Sequence, residues 1–76
     1  MIHYDPHAEF QILRREIPKS LVEETIENPD STESKSDKIS FLKCYPDRMK
    51  MLRVVTRKDD PNYVITAYFD RRKPCG

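Results

Sequence analysis

The chain has 76 residues, of which 36% are charged and 37% hydrophobic, and a formal net charge of +1. That length makes one small domain over residues 1–76, with a thin core and no room for a second. No apolar run approaches the roughly 20 residues that a membrane-spanning helix needs, and the periodic apolar segments argue against disorder.

The first ten residues, MIHYDPHAEF, carry neither a basic region nor an apolar core, so no signal peptide is expected there. MIHY is short and compatible with a weak strand. Asp5 and Pro6 then mark a helix start, a carboxylate cap followed by proline in the first turn. From Pro6 to about Glu16, Phe10, Leu13 and Ile17, with Ile12 beside them, form one apolar stripe at helical spacing. Pro18 ends this helix, because it disfavours helical geometry at Ile17 and lacks an N–H.

A second short helix follows. Ser20 stands three residues before Glu23, the pattern of a capping box. Leu21, Val22, Thr25 and Ile26 make its apolar face, and Asn28 and Pro29 end it. Asp30 to Lys38, DSTESKSDK, holds no apolar residue and reads as a flexible loop over 30–38, between the helical and sheet halves.

Three strands complete the chain: Lys38 to Tyr45, Lys50 to Arg57 and Tyr63 to Phe69. Their connections are too short for parallel crossovers, so they form an antiparallel meander. The expected fold is α+β, ordered β-α-α-β-β-β, with two helices on one face of an antiparallel sheet.

Strand alternation assigns the faces. Ile39, Phe41, Leu52, Val54, Ile65, Ala67 and Phe69 are expected beneath the helices, against Phe10, Leu13, Ile17, Leu21, Val22 and Ile26. Arg53, Val55, Val64, Thr66 and Tyr68 then fall on the opposite, open face, with Arg57. Charge is divided in the same sense. Residues 1–37 hold four Lys and Arg against nine Asp and Glu; residues 38–76 hold ten against four. That asymmetry either presents a basic surface or is spent on internal pairing between the halves.

Guanidinium groups bind phosphate in bidentate fashion, and an aromatic face can stack on a base. Arg53 and Tyr68 on one sheet face, flanked by Arg48, Lys50, Arg57, Arg71 and Arg72, therefore form a candidate RNA platform. Arg53 is the first choice for a phosphate clamp; its alternative role is a cross-strand partner for an acid such as Asp70. Tyr68 either stacks a base and donates a proton or is a packed surface tyrosine. His7, in the first helical turn, is a general-base candidate or a capping residue. Arg14 and Arg15 could reach the sheet edge, although helix-surface arginines are usually solvated. Arg71, Arg72 and Lys73 suit electrostatic steering. His3 and His7 lack a third ligand, so no metal is expected, nor any cofactor. Cys44 and Cys75 lack metal spacing and are expected as reduced thiols of a cytoplasmic protein.

HAEFQILRREIPKSLVEETIENPD (residues 7–30) with LRVVTRKDDPNYVITAYFDRR (residues 52–72) resembles a small prokaryotic domain family. That family looks allied to the RelE/ParE toxin superfamily and to BrnT-like toxins. His7-Ala8, Arg15, Ile17, Val22, Asn28-Pro29, Leu52 to Val55 and Thr66 to Tyr68 carry the likeness. Gln11 departs from it by standing where arginine is usual. Glu16 replaces a common glycine, which implies a less sharp turn between the helices. The resemblance implies a toxin-like protein that binds RNA or the ribosome, or a protein target, and is neutralised by an antitoxin. RelE-like cleavage needs no metal: the RNA 2′-OH attacks, while the protein supplies cations, a proton acceptor and a proton donor. On that basis Arg53, Tyr68 and His7 are the catalytic candidates. A non-catalytic interaction module on the same scaffold is the other expectation.

Overall fold

The computed structural model describes residues 2–46 and 50–70. Strand β1 (His3–Tyr4) leads into helices α1 (Pro6–Arg14) and α2 (Lys19–Glu27). Strands β2 (Ser31–Lys35), β3 (Lys38–Tyr45), β4 (Lys50–Arg57) and β5 (Tyr63–Asp70) follow. They form one five-stranded sheet in the order β1-β5-β4-β3-β2. The fold is α+β, as expected, but the sheet is mixed, because β1 pairs parallel to β5.

The start of α1 forms as the sequence dictates. The Asp5 carboxylate accepts the His7 backbone N–H at 2.9 Å, and Pro6 occupies a position whose N–H would have no partner. The helix end departs from expectation. Glu16 takes φ 56°, in the left-handed region. Ile17 N–H donates to Ile12 O at 3.0 Å and Glu16 N–H to Leu13 O at 3.1 Å. These are the two bonds of a Schellman turn, so the turn is sharp without the glycine that usually makes it. Ile12 and Ile17, both buried, supply the hydrophobic contact that accompanies such turns.

The Ser20 to Glu23 capping box does not form. Proline 18 is the N-cap of α2, with no side-chain cap bond. Glu23 instead accepts from the Tyr4 hydroxyl at 3.5 Å. Tertiary contact thus takes the carboxylate that local pattern assigns to the helix end.

The expected loop over 30–38 is also corrected. Ser31–Lys35 pairs antiparallel with β3 through a tight turn at Ser36 and Asp37, where Ser36 has φ 27°. An edge strand needs little apolar content, since backbone pairing to one neighbour holds it and charged side chains discourage further pairing. Polarity therefore concealed the strand.

Both helices pack on one face. Ala8, Ile12, Ile17 and Val22 meet Leu52, Val54, Val64 and Ala67 in one buried cluster. Phe10 and Leu13, expected in this core, are exposed; Ala8 and Ile12 take their place. Ile65 and Val64 exchange the faces assigned to them. Val55 pairs with Thr66 but Thr56 with Val64, so Ile65 is an extra residue in β5. This bulge breaks the simple alternation and turns Val64 into the core.

Candidate functional site

The register places Arg53 directly opposite Tyr68, on the face away from the helices. That face is not an open platform at this point. Leu42, the other register partner of Arg53, is fully buried. The Arg53 side chain is itself only 13% exposed. It lies between Glu33 Oε1 of β2 at 3.3 Å and Asp70 Oδ2 of β5 at 3.2 Å. Burial alone would lower its pKa, but the Glu33 hydrogen bond, the Tyr68 and Glu33 charges and the Asp70 bond outweigh that and hold it above the ordinary value. Arg53 thus has the cross-strand partner that was the alternative to a phosphate clamp, and a second carboxylate besides.

Arg57 is engaged in a similar way at the surface. Its Nε and Nη2 form a fork on Asp59 at 3.1 and 2.9 Å, and its guanidinium lies over the Tyr63 ring at 5.7 Å. Lys50 shares strand parity with buried Leu52, and its ammonium lies 5.8 Å from the Phe69 ring centroid. It therefore projects to the helix side, not beside Arg53. Arg48, Arg71 and Arg72 lie outside the described residues, as do Lys73 and Cys75. Cys44 is disulfide-bonded, not the free thiol expected.

A different cluster assembles where α1 crosses the edge of β5. His7, Gln11 and Arg15 succeed one another at four-residue intervals, so they line one side of the helix. Beta-strand 5 pairs with β1 only through Tyr63 and Val64, which leaves the later backbone edge to α1. Arg15 Nη1 donates to Ala67 O at 2.9 Å, and the guanidinium continues over the Tyr68 ring at 5.9 Å.

Gln11 is the hub of this seam. Its Oε1 accepts from Thr66 Oγ1 at 2.7 Å and from Arg15 Nη1 at 3.3 Å. Two donors at one amide atom identify it as the oxygen, so the other atom, Nε2, is the donor. It faces His7 Nε2 at 2.8 Å. His7 Nε2 must then be the acceptor, which places the ring proton on Nδ1. The chain of bonds orients an imidazole lone pair, a guanidinium and a phenol ring along one exposed seam.

Among the described residues, no carboxylate pairs with Arg15. In this it differs from Arg53 and Arg57, whose charges acids answer. Of the two readings offered for Arg15, reach to the sheet edge and solvation, the structure shows the first; Gln11 reads in the sequence only as a departure from the family pattern. The visible signal was the regular spacing from His7 through Gln11 to Arg15, on the side of α1 next to the buried Ala8 and Ile12.

No group of His, Cys, Asp or Glu among the described residues is arranged to hold a metal ion. Nor is any helix among them long and apolar enough to cross a membrane. A family model described as a domain of unknown function, DUF4258, matches residues 4–69. No curated protein and no solved structure matches the chain.

Proposed function

We propose that this chain, which belongs to the DUF4258 family across residues 4–69, is a toxin-like RNA-binding protein whose contact surface is the α1–β5 seam. The observation that carries this reading is Arg15, anchored on the Ala67 carbonyl, over the Tyr68 ring and without an acidic partner among the described residues. An anchored guanidinium loses little freedom when it meets a phosphate, and its fork matches phosphate oxygens. Tyr68 offers a ring to an unstacked base.

The same residues suit metal-independent endonucleolytic chemistry. In that reaction the RNA 2′-oxygen bonds to phosphorus, its proton passes to His7 Nε2, and the 5′-oxygen leaves with a proton from the Tyr68 hydroxyl. Arg15 offsets the charge that develops on the phosphoryl oxygens. Gln11 must release Nε2 before His7 can act. Such a protein would act on free RNA or the ribosome, with an antitoxin protein to neutralise it.

The test is RNA binding by the intact chain at two salt concentrations. Arg15→Ala should weaken binding and reduce the salt slope by about one. Arg57→Ala should leave both unchanged. Equal RNA affinity for Arg15→Ala and the parent chain removes the seam from consideration. His7→Ala should abolish cleavage and growth inhibition on induction while retaining binding.

A non-catalytic protein-interaction module is the second reading. It is favoured by the acids that already occupy Arg53 and Arg57. Stable association with a protein partner, with no RNA binding at any salt concentration, would select it.

A further inference from the structure

Leu42 is fully buried on the face of the sheet that carries no helix. It stands opposite Arg53 in the register, so it points away from α1 and α2, and it is not part of the helix-side cluster. A one-sided antiparallel sheet leaves such a face to water. Arg53 reaches past Leu42 towards Glu33 of β2, but its own side chain is only 13% exposed. A further layer therefore lies over both. Among the described residues, both helices are on the other side and β2 to β5 are the sheet itself, so that layer comes from elsewhere in the chain.

Cys44 identifies it. Two residues after Leu42 in β3, Cys44 faces the same way, and it is disulfide-bonded. The sequence holds one other cysteine, Cys75. The register runs from Cys44 through Met51 to Asp70 across neighbouring strands. Strands lie about 4.8 Å apart, which puts Asp70 about 10 Å from Cys44. Cys75 follows Asp70 by five positions, and that much chain spans up to about 17 Å. The reach suffices to cross β4 and meet Cys44 on this face. The anchor is itself held, since the Cys44 backbone N–H donates to Asp30 Oδ2 at 2.8 Å.

We infer that segment 71–75 crosses the helix-free face as a redox-controlled strap, locked by a Cys44–Cys75 disulfide and released by dithiol reduction to uncover Leu42. In the release a dithiol thiolate attacks one cystine sulfur, the S–S bond breaks and a mixed disulfide forms. The second thiol then closes the reagent's own disulfide. Two electrons and two protons pass from the dithiol to the two cysteines. The face that carries Arg53 is closed while the cystine is intact and opens when it is reduced. This inference uses none of His7, Gln11 and Arg15 and stands apart from the RNA reading.

The experiment follows the full, air-oxidised chain by methyl spectroscopy beside a soluble gadolinium chelate, with and without dithiothreitol. Without it, thiol titration should find no free thiol, and a non-reduced digest should contain a peptide pair joining Cys44 to Cys75. The Leu42 and Leu52 methyls should both be shielded from the chelate. Dithiothreitol should expose Leu42, leave Leu52 shielded and lower the thermal midpoint by about 10 °C or more. Cys75→Ser should match the reduced chain and not respond to dithiothreitol. Two free thiols in the oxidised chain, or a cystine joining two copies, overturn the proposal. Leu42 that stays shielded after reduction overturns it, because the cover then does not depend on the bond. Exposure of Leu52 together with Leu42 overturns it as well, because the disulfide then staples the whole fold and latches no single segment.

Discussion

Arg15 donates to the backbone carbonyl of Ala67 at 2.9 Å, across 52 residues of sequence. The bond joins the last turn of the first helix to the edge of the last strand. It lies on a stretch of edge that β1 does not cover, because β1 pairs with β5 only at Tyr63 and Val64. One side chain thus closes a sheet edge, and its charge is left facing outward over Tyr68.

The hub of that seam is Gln11, and its removal should loosen the whole row. Gln11→Ala takes the acceptor from Thr66 and Arg15 and the donor from His7. Unfolding measurements should show a loss of about 1–2 kcal/mol, the cost of a small side-chain network that is only partly open to water. Gln11→Glu keeps both acceptor contacts but cannot donate to His7 Nε2. Nitrogen spectroscopy of His7 should therefore show a changed tautomer or protonation state in that variant, with Thr66 still bonded.

Arg53 should matter to stability. Arg53→Met removes the cation between Glu33 and Asp70, and Asp70 is 8% exposed. Losing a charge-assisted hydrogen bond to a nearly buried carboxylate costs about 1.5–3 kcal/mol. Denaturant unfolding of Arg53→Met should show that loss, and Asp70→Asn in the same background should recover part of it. Arg57→Met, which breaks an exposed pair, should leave the midpoint where it was.

Glu16 offers a gain. At φ 56° a side chain with a Cβ crowds the following carbonyl, and glycine does not. The cost in a left-handed position exceeds the extra freedom that glycine has when unfolded. Glu16→Gly should raise stability by about 0.5–1 kcal/mol, visible as a higher thermal midpoint with the same fold. An unchanged or lower midpoint would show that the Glu16 side chain contributes something the geometry does not reveal.

The tyrosines set an alkaline limit. Burial, then the charge and hydrogen bond of Glu23, push Tyr4 up to about 12 from 10.0. Burial raises Tyr45, with Glu24 adding to it, although the Thr25 bond opposes the shift. The Asp5 hydrogen bond raises Tyr63. Each group keeps its proton longer in the folded chain than in the unfolded one, so the unfolded state binds fewer protons above about pH 10. Stability should be complete below that pH and fall as pH rises toward 12. Phenolate absorbance should show delayed ionisation, and Tyr4→Phe should reduce the loss of stability in that window.

Asp5 acts at the opposite end. The His7 backbone N–H, first, and the Tyr63 hydroxyl hold its carboxyl below the ordinary value. Its contribution is present above the unfolded-state pKa near 4 and disappears as pH falls through the lower folded value. Acid titration of the thermal midpoint should be shallower in Asp5→Ala than in the parent chain.

Much of this architecture was legible in the chain. Asp5-Pro6, Pro18 and Asn28-Pro29 bound the helices because their effects are local: a cap, a missing N–H, a restricted dihedral. Alternation placed Leu52, Val54 and Ala67 in the core and Arg53 with Tyr68 on the other face, because side chains in regular strands change sides at every residue. Three features depended on contacts distant in sequence. The bulge at Ile65 reversed Val64 and Ile65, and periodicity cannot register an extra residue. Strand β2 exists because β3 offers a backbone edge to an otherwise polar segment. Of the acids that engage Arg53, Asp70 was the cross-strand partner the sequence offered, whereas Glu33 comes from β2, the strand its polarity concealed. The seam from His7 to Arg15 was present in the spacing of α1, but what it faces was decided by packing. Only the folded chain brings the open edge of β5 beneath that row, and a side chain's partner is set by the neighbour the fold supplies.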